Sequence, residues 1–200
     1  MHELNEDDAL RADVYRLLAR LLREAPDASL CDWLAGLEVD QDGTLLAERW
    51  AALVHAAAES RVETLERAHF RHLVGVVQGD ITPYASWYRN GELMDAALVA
   101  LRRDLRSLGF ARAEHSRDPE DHLAALCEVM AMLIEARSPH AARFFMTHLA
   151  PWAADCLADL GRVETPFYAR LGRLGQAFMD VEAQRLEGES RQDPVRIVEP

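Results

Sequence analysis

Apolar residues recur every three to four positions through most of this chain, the spacing that gives a helix one continuous apolar face. Leu10, Val14, Leu17, Leu18, Leu21 and Leu22 make the first such face, which stops ahead of Pro26. Leu30, Trp33, Leu34 and Leu37 predict a shorter helix. After the turn residues Asp42-Gly43-Thr44, the spacing resumes at Leu45, Leu46, Trp50, Leu53 and Val54. Ser60 and Glu63 fit an S-x-x-E capping box opening a helix with Val62, Leu65, His69 and Leu73 on one side. From Asp80 to Tyr88 the period is lost, which predicts a loop. Asn90 is placed to cap a helix that runs through Met94, Ala97, Leu98, Leu101, Leu105 and Leu108 to a terminal glycine, Gly109.

Three later helices share one start signal, a capping residue followed by proline: Asp118-Pro119, Ser138-Pro139 and Thr165-Pro166. Leu123, Leu126, Cys127, Met130, Leu133 and Ile134 follow the first, Phe144, Phe145 and Leu149 the second, and Phe167, Leu171, Leu174 and Phe178 the third. Pro151-Trp152 predicts one more short helix, ending at Gly161. No segment alternates with the period of a strand, and no internal repeat is present. From about Glu187 the chain turns polar and aperiodic. The expected organisation is therefore an all-α, single multi-helix bundle over 1–186 with a polar C-terminal tail, 187–200.

Composition narrows the partners. Half the residues are hydrophobic and 28% charged, the balance of a folded globular protein. The formal net charge of -12 argues against nucleic acid, whose phosphates need a basic footprint, and favours cationic ligands. All 22 basic side chains are arginine, which we attribute to genomic base composition. Cys31, Cys127 and Cys156 are too few and too scattered for a disulfide framework or a zinc knuckle. The chain begins acidic, and its apolar runs are far shorter than the ~20 residues of a membrane span. A cytoplasmic protein without stable membrane insertion is expected.

Two stretches carry chemistry. Asp118-Pro119-Glu120-Asp121-His122-Leu123, continuing to Glu128 and Met130, places carboxylates at a helix start, where free N–H groups and the helix dipole stabilise them. Ordinary capping explains those acids equally well, and residue chemistry alone favours it. His122, one position further on, is set to reach a carboxylate or a loop carbonyl. The second stretch interleaves Pro83, Tyr84, Trp87 and Tyr88 with small residues, either folded onto the core or forming a binding lip. Asp121-His122 as an acid/base pair, or His69 and His72 as metal ligands, keeps an enzyme open as an alternative. A helical adaptor is a further one.

In these blocks the chain resembles the TorD/DmsD (NarJ-like) chaperones of molybdoenzyme maturation. The helix from Ala68 to Gly75 with the loop Pro83-Tyr84-Ala85-Ser86-Trp87-Tyr88 is similar to one family segment, and Asp118 to Leu123 to the family's E-P-x-D-H block. Phe144-Phe145 with His148-Leu149 and Pro151-Trp152, and then Phe167-Tyr168 with Leu171, resemble two more. The ordered set covers roughly 60 to 180. Ala68, His69, Val74, Val76, Ala85 and Trp87 depart from the pattern.

The resemblance implies an all-helical chaperone without catalysis, metal or cofactor of its own, either a monomer or a domain-swapped homodimer. Its implied partner is the precursor of a molybdopterin-containing oxidoreductase. It would bind the twin-arginine signal peptide, the body of that precursor, or both, and assist cofactor insertion before export. The residues it points to are Pro83, Tyr84, Trp87, Tyr88, Pro119, Glu120, Asp121, His122 and Glu128. A twin-arginine peptide needs carboxylates beside an apolar groove; each arginine–carboxylate contact contributes about 1.5–3 kcal/mol when partly desolvated. Asp121 with Glu120 or Glu128 would supply the charge, and Tyr84, Trp87 and Tyr88 the apolar lining.

Overall fold

The computed structural model describes residues 4–40, 42–76, 78–111 and 118–192, the side chains of 189–192 excepted. Among them are α1 (Glu6–Arg23), α2 (Ala28–Ala35), α3 (Leu45–Glu59), α4 (Val62–His69), α5 (Ala85–Asn90), α6 (Ala96–Ser107), α7 (Leu123–Glu135), α8 (Ala141–His148), α9 (Ala153–Leu160) and α10 (Pro166–Gln192). α4 runs on into a single π turn, Phe70–Val74, closed by Gly75 N–H on Phe70 O at 2.6 Å. No strand occurs among the described residues; the all-α expectation holds.

The architecture grows from α7, which is apolar on nearly every side. Leu123, Ala124, Leu126, Cys127, Val129, Met130, Ala131, Leu133 and Ile134 are all buried, as a helix surrounded by others requires. α1 packs along it. Arg16 pairs with Glu135 at one end and Arg23 with Glu128 at the other, so the two helices run antiparallel. α10 covers the opposite part of the core, packed on α9, α3, α8 and α4. Its Gly172 lies against α9 so closely that a Cβ there would stand 2.3 Å from the Gly161 nitrogen. Arg11 ties α1 to α10 by gripping the buried Glu182 through Nε (2.7 Å) and Nη2 (2.9 Å), and the Tyr15 hydroxyl donates to the same carboxylate at 3.0 Å.

Several local signals are realised as written. Thr44 caps α3, Pro166 opens α10, and Gly109 stands at φ 80° behind α6. There Phe110 N–H reaches Leu105 O and Gly109 N–H reaches Arg106 O, the paired bonds of a Schellman ending. Others are not. α7 starts at Leu123, not at Pro119, because His122 takes the capping position and its Nδ1 accepts from Ala124 N–H at 3.0 Å. α8 likewise starts at Ala141, after the turn Ser138–His140. Ser60 turns back to bond Ala56 O and ends α3, so no capping box forms with Glu63. Asp95, not Asn90, caps α6. α10 extends past Glu187 to Gln192, inside the stretch expected to be a tail; 193–200 lie outside the described residues.

Candidate functional site

Two stretches distant in sequence, 82–86 and 118–123, cross as a short antiparallel bridge. Ala85 N–H donates to Asp121 O at 3.0 Å, and Leu123 N–H donates to Pro83 O at 2.8 Å. Between them Tyr84 and His122 pair backbone to backbone, and their rings meet edge to face with centroids 4.9 Å apart.

The crossing explains α5, which sequence patterning reads as loop. Six residues are too few for a helix to persist alone, and Tyr84 at its N-cap makes no side-chain cap bond. Asp121 supplies the cap from elsewhere. Its Oδ2 accepts from Ser86 N–H (2.9 Å) and from the Ser86 hydroxyl (2.6 Å). Ser86 Oγ in turn accepts from Met94 N–H at 3.2 Å and holds the α5–α6 connection, where Met94 takes the left-handed φ of 60°. One carboxylate thus fixes three segments.

Against this crossing lie two pockets that share Arg23, Asp118, Pro119 and His122 as a common wall. The first, about 400 Å³, is mainly apolar: Leu22, Leu73 and Ile81 reach it from the core, and Val74, Trp87, Leu93 and Met94 form an exposed rim. The second, about 230 Å³, is bounded by Glu120 and Glu128 together with Leu105, Phe110, Val129 and Met132. A groove results with an apolar, aromatic-rimmed end and an acidic end.

Burial sets the protonation states along the shared wall. It pushes the His122 imidazole down to about 4; the charge of Asp118 works against this, and Arg23 and His69 add to it. His122 is therefore neutral at physiological pH, as its accepting Nδ1 requires. Burial first, then the charges of Asp118 and Asp121, pushes the Tyr84 phenol up to about 12. It remains a neutral donor facing an acidic wall.

Of the residues singled out from sequence, Pro83, Tyr84, Trp87, Pro119 and His122 line the apolar pocket, and Glu120 and Glu128 line the acidic one with Pro119 and His122. Two are placed elsewhere. Asp121 is fully buried (0% exposed) behind the wall and faces Ser86. Tyr88 turns toward α9, where its hydroxyl donates to Asp159 at 3.0 Å and its ring packs on Trp152. Sequence patterning missed Arg23, Val74, Leu93 and Met94. Arg23 carried no local signal, being the last residue of a helix whose function is otherwise packing. Met94 read as a core position of α6.

His69 and His72, the alternative metal ligands, do not converge on a third ligand. His72 Nδ1 meets Asp80 at 2.7 Å and its Nε2 meets Thr165 at 2.9 Å; His69 is buried near Tyr168. No group of three His, Cys, Asp or Glu side chains is arranged for a metal among the described residues. No described helix is long and apolar enough to cross a membrane.

Comparison with known proteins gives this arrangement a context. Residues 39–158 match the model of the family described as nitrate reductase delta subunit. The chain is 27% identical to the chaperone protein TorD of Shewanella amazonensis, over 92% of this chain and 94% of that one. It is 29% identical to the Tat proofreading chaperone DmsD of Salmonella typhi, over 72% of this chain and 70% of that one. In three dimensions it resembles a protein of Archaeoglobus fulgidus assigned to redox enzyme maturation, with a TM-score of 0.50 and 16% identity, covering 89% and 94% of the two chains. That likeness concerns the fold.

Proposed function

This chain belongs to the nitrate reductase delta subunit family, and on that premise we propose that it is a cytoplasmic maturation chaperone for a redox enzyme precursor. Its relatives carry the names of chaperones and not of enzymes. The client segment we assign is the twin-arginine signal peptide of a molybdopterin-containing oxidoreductase, held until the cofactor has been inserted. The observation that carries this reading is the composite groove: an apolar pocket with an aromatic rim joined, across the Pro119–His122 wall, to a pocket edged by Glu120 and Glu128.

The division matches the ligand. A twin-arginine signal offers guanidiniums next to an apolar stretch. Guanidinium–carboxylate bonds are directional and charge-assisted, and suit the acidic end. An apolar segment laid against Trp87, Val74 and Leu93 loses water-exposed area at about 25 cal/mol per Å². Asp121 has a positioning role in this scheme, because it orients α5 and thereby Trp87. Tyr88 anchors the same helix from behind.

Isothermal calorimetry with a synthetic twin-arginine peptide tests the assignment. Trp87→Ala and Tyr84→Ala are expected to weaken binding about tenfold or more, since each removes aromatic area at the rim. Glu128→Gln should weaken the peptide more than a version with both arginines changed to glutamine. Unchanged affinity in all three variants would remove the groove from the client site.

A further inference from the structure

A carboxylate that is to receive a client guanidinium must first be released from whatever holds it. Both carboxylates at the acidic end of the groove are already paired with arginines of this chain. Glu120 accepts from Arg102 through Nε (2.9 Å) and Nη2 (2.8 Å), and Glu128 accepts from Arg23 Nη2 at 3.1 Å. These pairs lie at the surface, with side chains 44% and 18% exposed in the first and 35% and 47% in the second. Exposed pairs of this kind contribute little and exchange readily.

Arg23 differs from an ordinary surface arginine in two respects. Its side chain forms part of the wall common to both pockets, so it stands where the groove passes from apolar to acidic. Its grip is also one-sided: the Nε is buried without a hydrogen-bond partner, although a guanidinium carries five donors. Arg11, on the same helix, has all three guanidinium nitrogens engaged, with Nε and Nη2 on Glu182 and Nη1 on Asp8. Arg23 is thus held at the groove by one bond while another of its donors is left unsatisfied.

We propose that Arg23 is a built-in place-holder for the client's basic residue; this rests on the reading of the groove as the client site. In the empty protein the Arg23 guanidinium neutralises Glu128 and separates the two pockets. A client arginine takes over Glu128, Arg23 swings to solvent where its Nε is hydrated, and the pockets join. One ion pair is exchanged for another. A segment with no basic residue leaves the Arg23–Glu128 pair in place and occupies the apolar pocket alone, so Arg23 keeps the acidic end neutral until a client arginine arrives and reduces the net gain that arginine makes there.

The test compares two fluorescently labelled peptides by anisotropy, one with two arginines ahead of a leucine-rich stretch and one with glutamines in their place. The wild type is expected to prefer the arginine peptide by a ratio that changes little between low and high salt, since no net ion pair forms. Arg23→Met keeps the apolar stem but frees Glu128, so the ratio should rise about two- to fivefold at low salt and fall back at high salt. Arg23→Lys, which retains the charge, should stay near the wild-type ratio. A ratio unchanged or reduced in Arg23→Met, in a wild type that binds the arginine peptide, overturns the place-holder alone. Failure of the wild type to bind either peptide overturns the client reading and this inference together.

Discussion

Replacing Ser86 with alanine probes the brace that holds the site. The Ser86 hydroxyl donates to the Asp121 carboxylate at 2.6 Å and accepts from Met94 N–H at 3.2 Å; both residues of the first pair are 0% exposed. A buried hydrogen bond to a charged acceptor contributes about 1.5–3 kcal/mol, and loss of the acceptor for Met94 adds about 1 kcal/mol. Ser86→Ala should therefore cost about 3 kcal/mol, a fall in Tm of ~6–12 °C for a domain of this size. Asp121→Ala strips two donors of their acceptor but also removes a carboxylate whose Oδ1 has no partner, so its cost should be similar or smaller. The informative quantity is the coupling in the double-mutant cycle, expected near ~2 kcal/mol, because both single changes break the same bond. Urea denaturation followed by far-ultraviolet circular dichroism measures all four species. Coupling below about 0.5 kcal/mol, the margin for independent sites, would show that the two side chains do not support each other.

Two further outcomes follow from buried charge and protonation. His122 is depressed from 6.5 to about 4, so the unfolded chain takes up its proton at higher pH than the folded one; this contribution is complete above about pH 6.5 and is lost, by about 3 kcal/mol, as pH falls toward 4. His122→Asn keeps a capping side chain without a titrating group, and its melting temperature should decline less steeply with acidification than that of the wild type; parallel declines would refute the assignment. Arg11→Met should cost about 3–5 kcal/mol in urea denaturation by leaving Glu182, 1% exposed, without its counter-charge. Adding Glu182→Gln, which still accepts from Tyr15, should recover most of that loss, and no recovery would mean that the arginine acts by packing.

The helical series was legible because its signals are local. The Leu10 to Leu22 face, the Thr44 cap, the Thr165-Pro166 start and the Gly109 ending each depend on residues within a turn or two of the element they define. The misread pieces depend on partners far along the chain. α5 read as loop because its cap is Asp121. Sequence pattern puts the start of α7 at Pro119 because a histidine cap such as His122 is a weak signal beside Asp-Pro. The site divides the same way. Tyr84, Trp87, Pro119, Glu120, His122 and Glu128 stand out as aromatic or acidic residues in non-periodic or capping positions, and they gather around one groove. Asp121 carries the same chemistry but is turned inward. Arg23 reaches the groove only through the antiparallel packing of α1 on α7, a relation between positions more than a hundred residues apart that no local pattern encodes.

The capping of α5 by Asp121 also bears on when the groove comes into being. Ser86 leaves the ribosome 35 positions ahead of the carboxylate that organises it, a delay of about 2–7 s at ordinary elongation rates. Until Leu123 has followed and bonded Pro83, residues 85–90 lack what keeps them helical, and Trp87 has no fixed place to stand. A nascent chain that has completed α1 through α4 can pair α2 with α3, but α1 still lacks α7, the helix it packs along, and the groove does not yet exist. The apolar rim is therefore organised only after the central helix α7 has begun to emerge, which keeps an adhesive surface from being presented by a half-made protein.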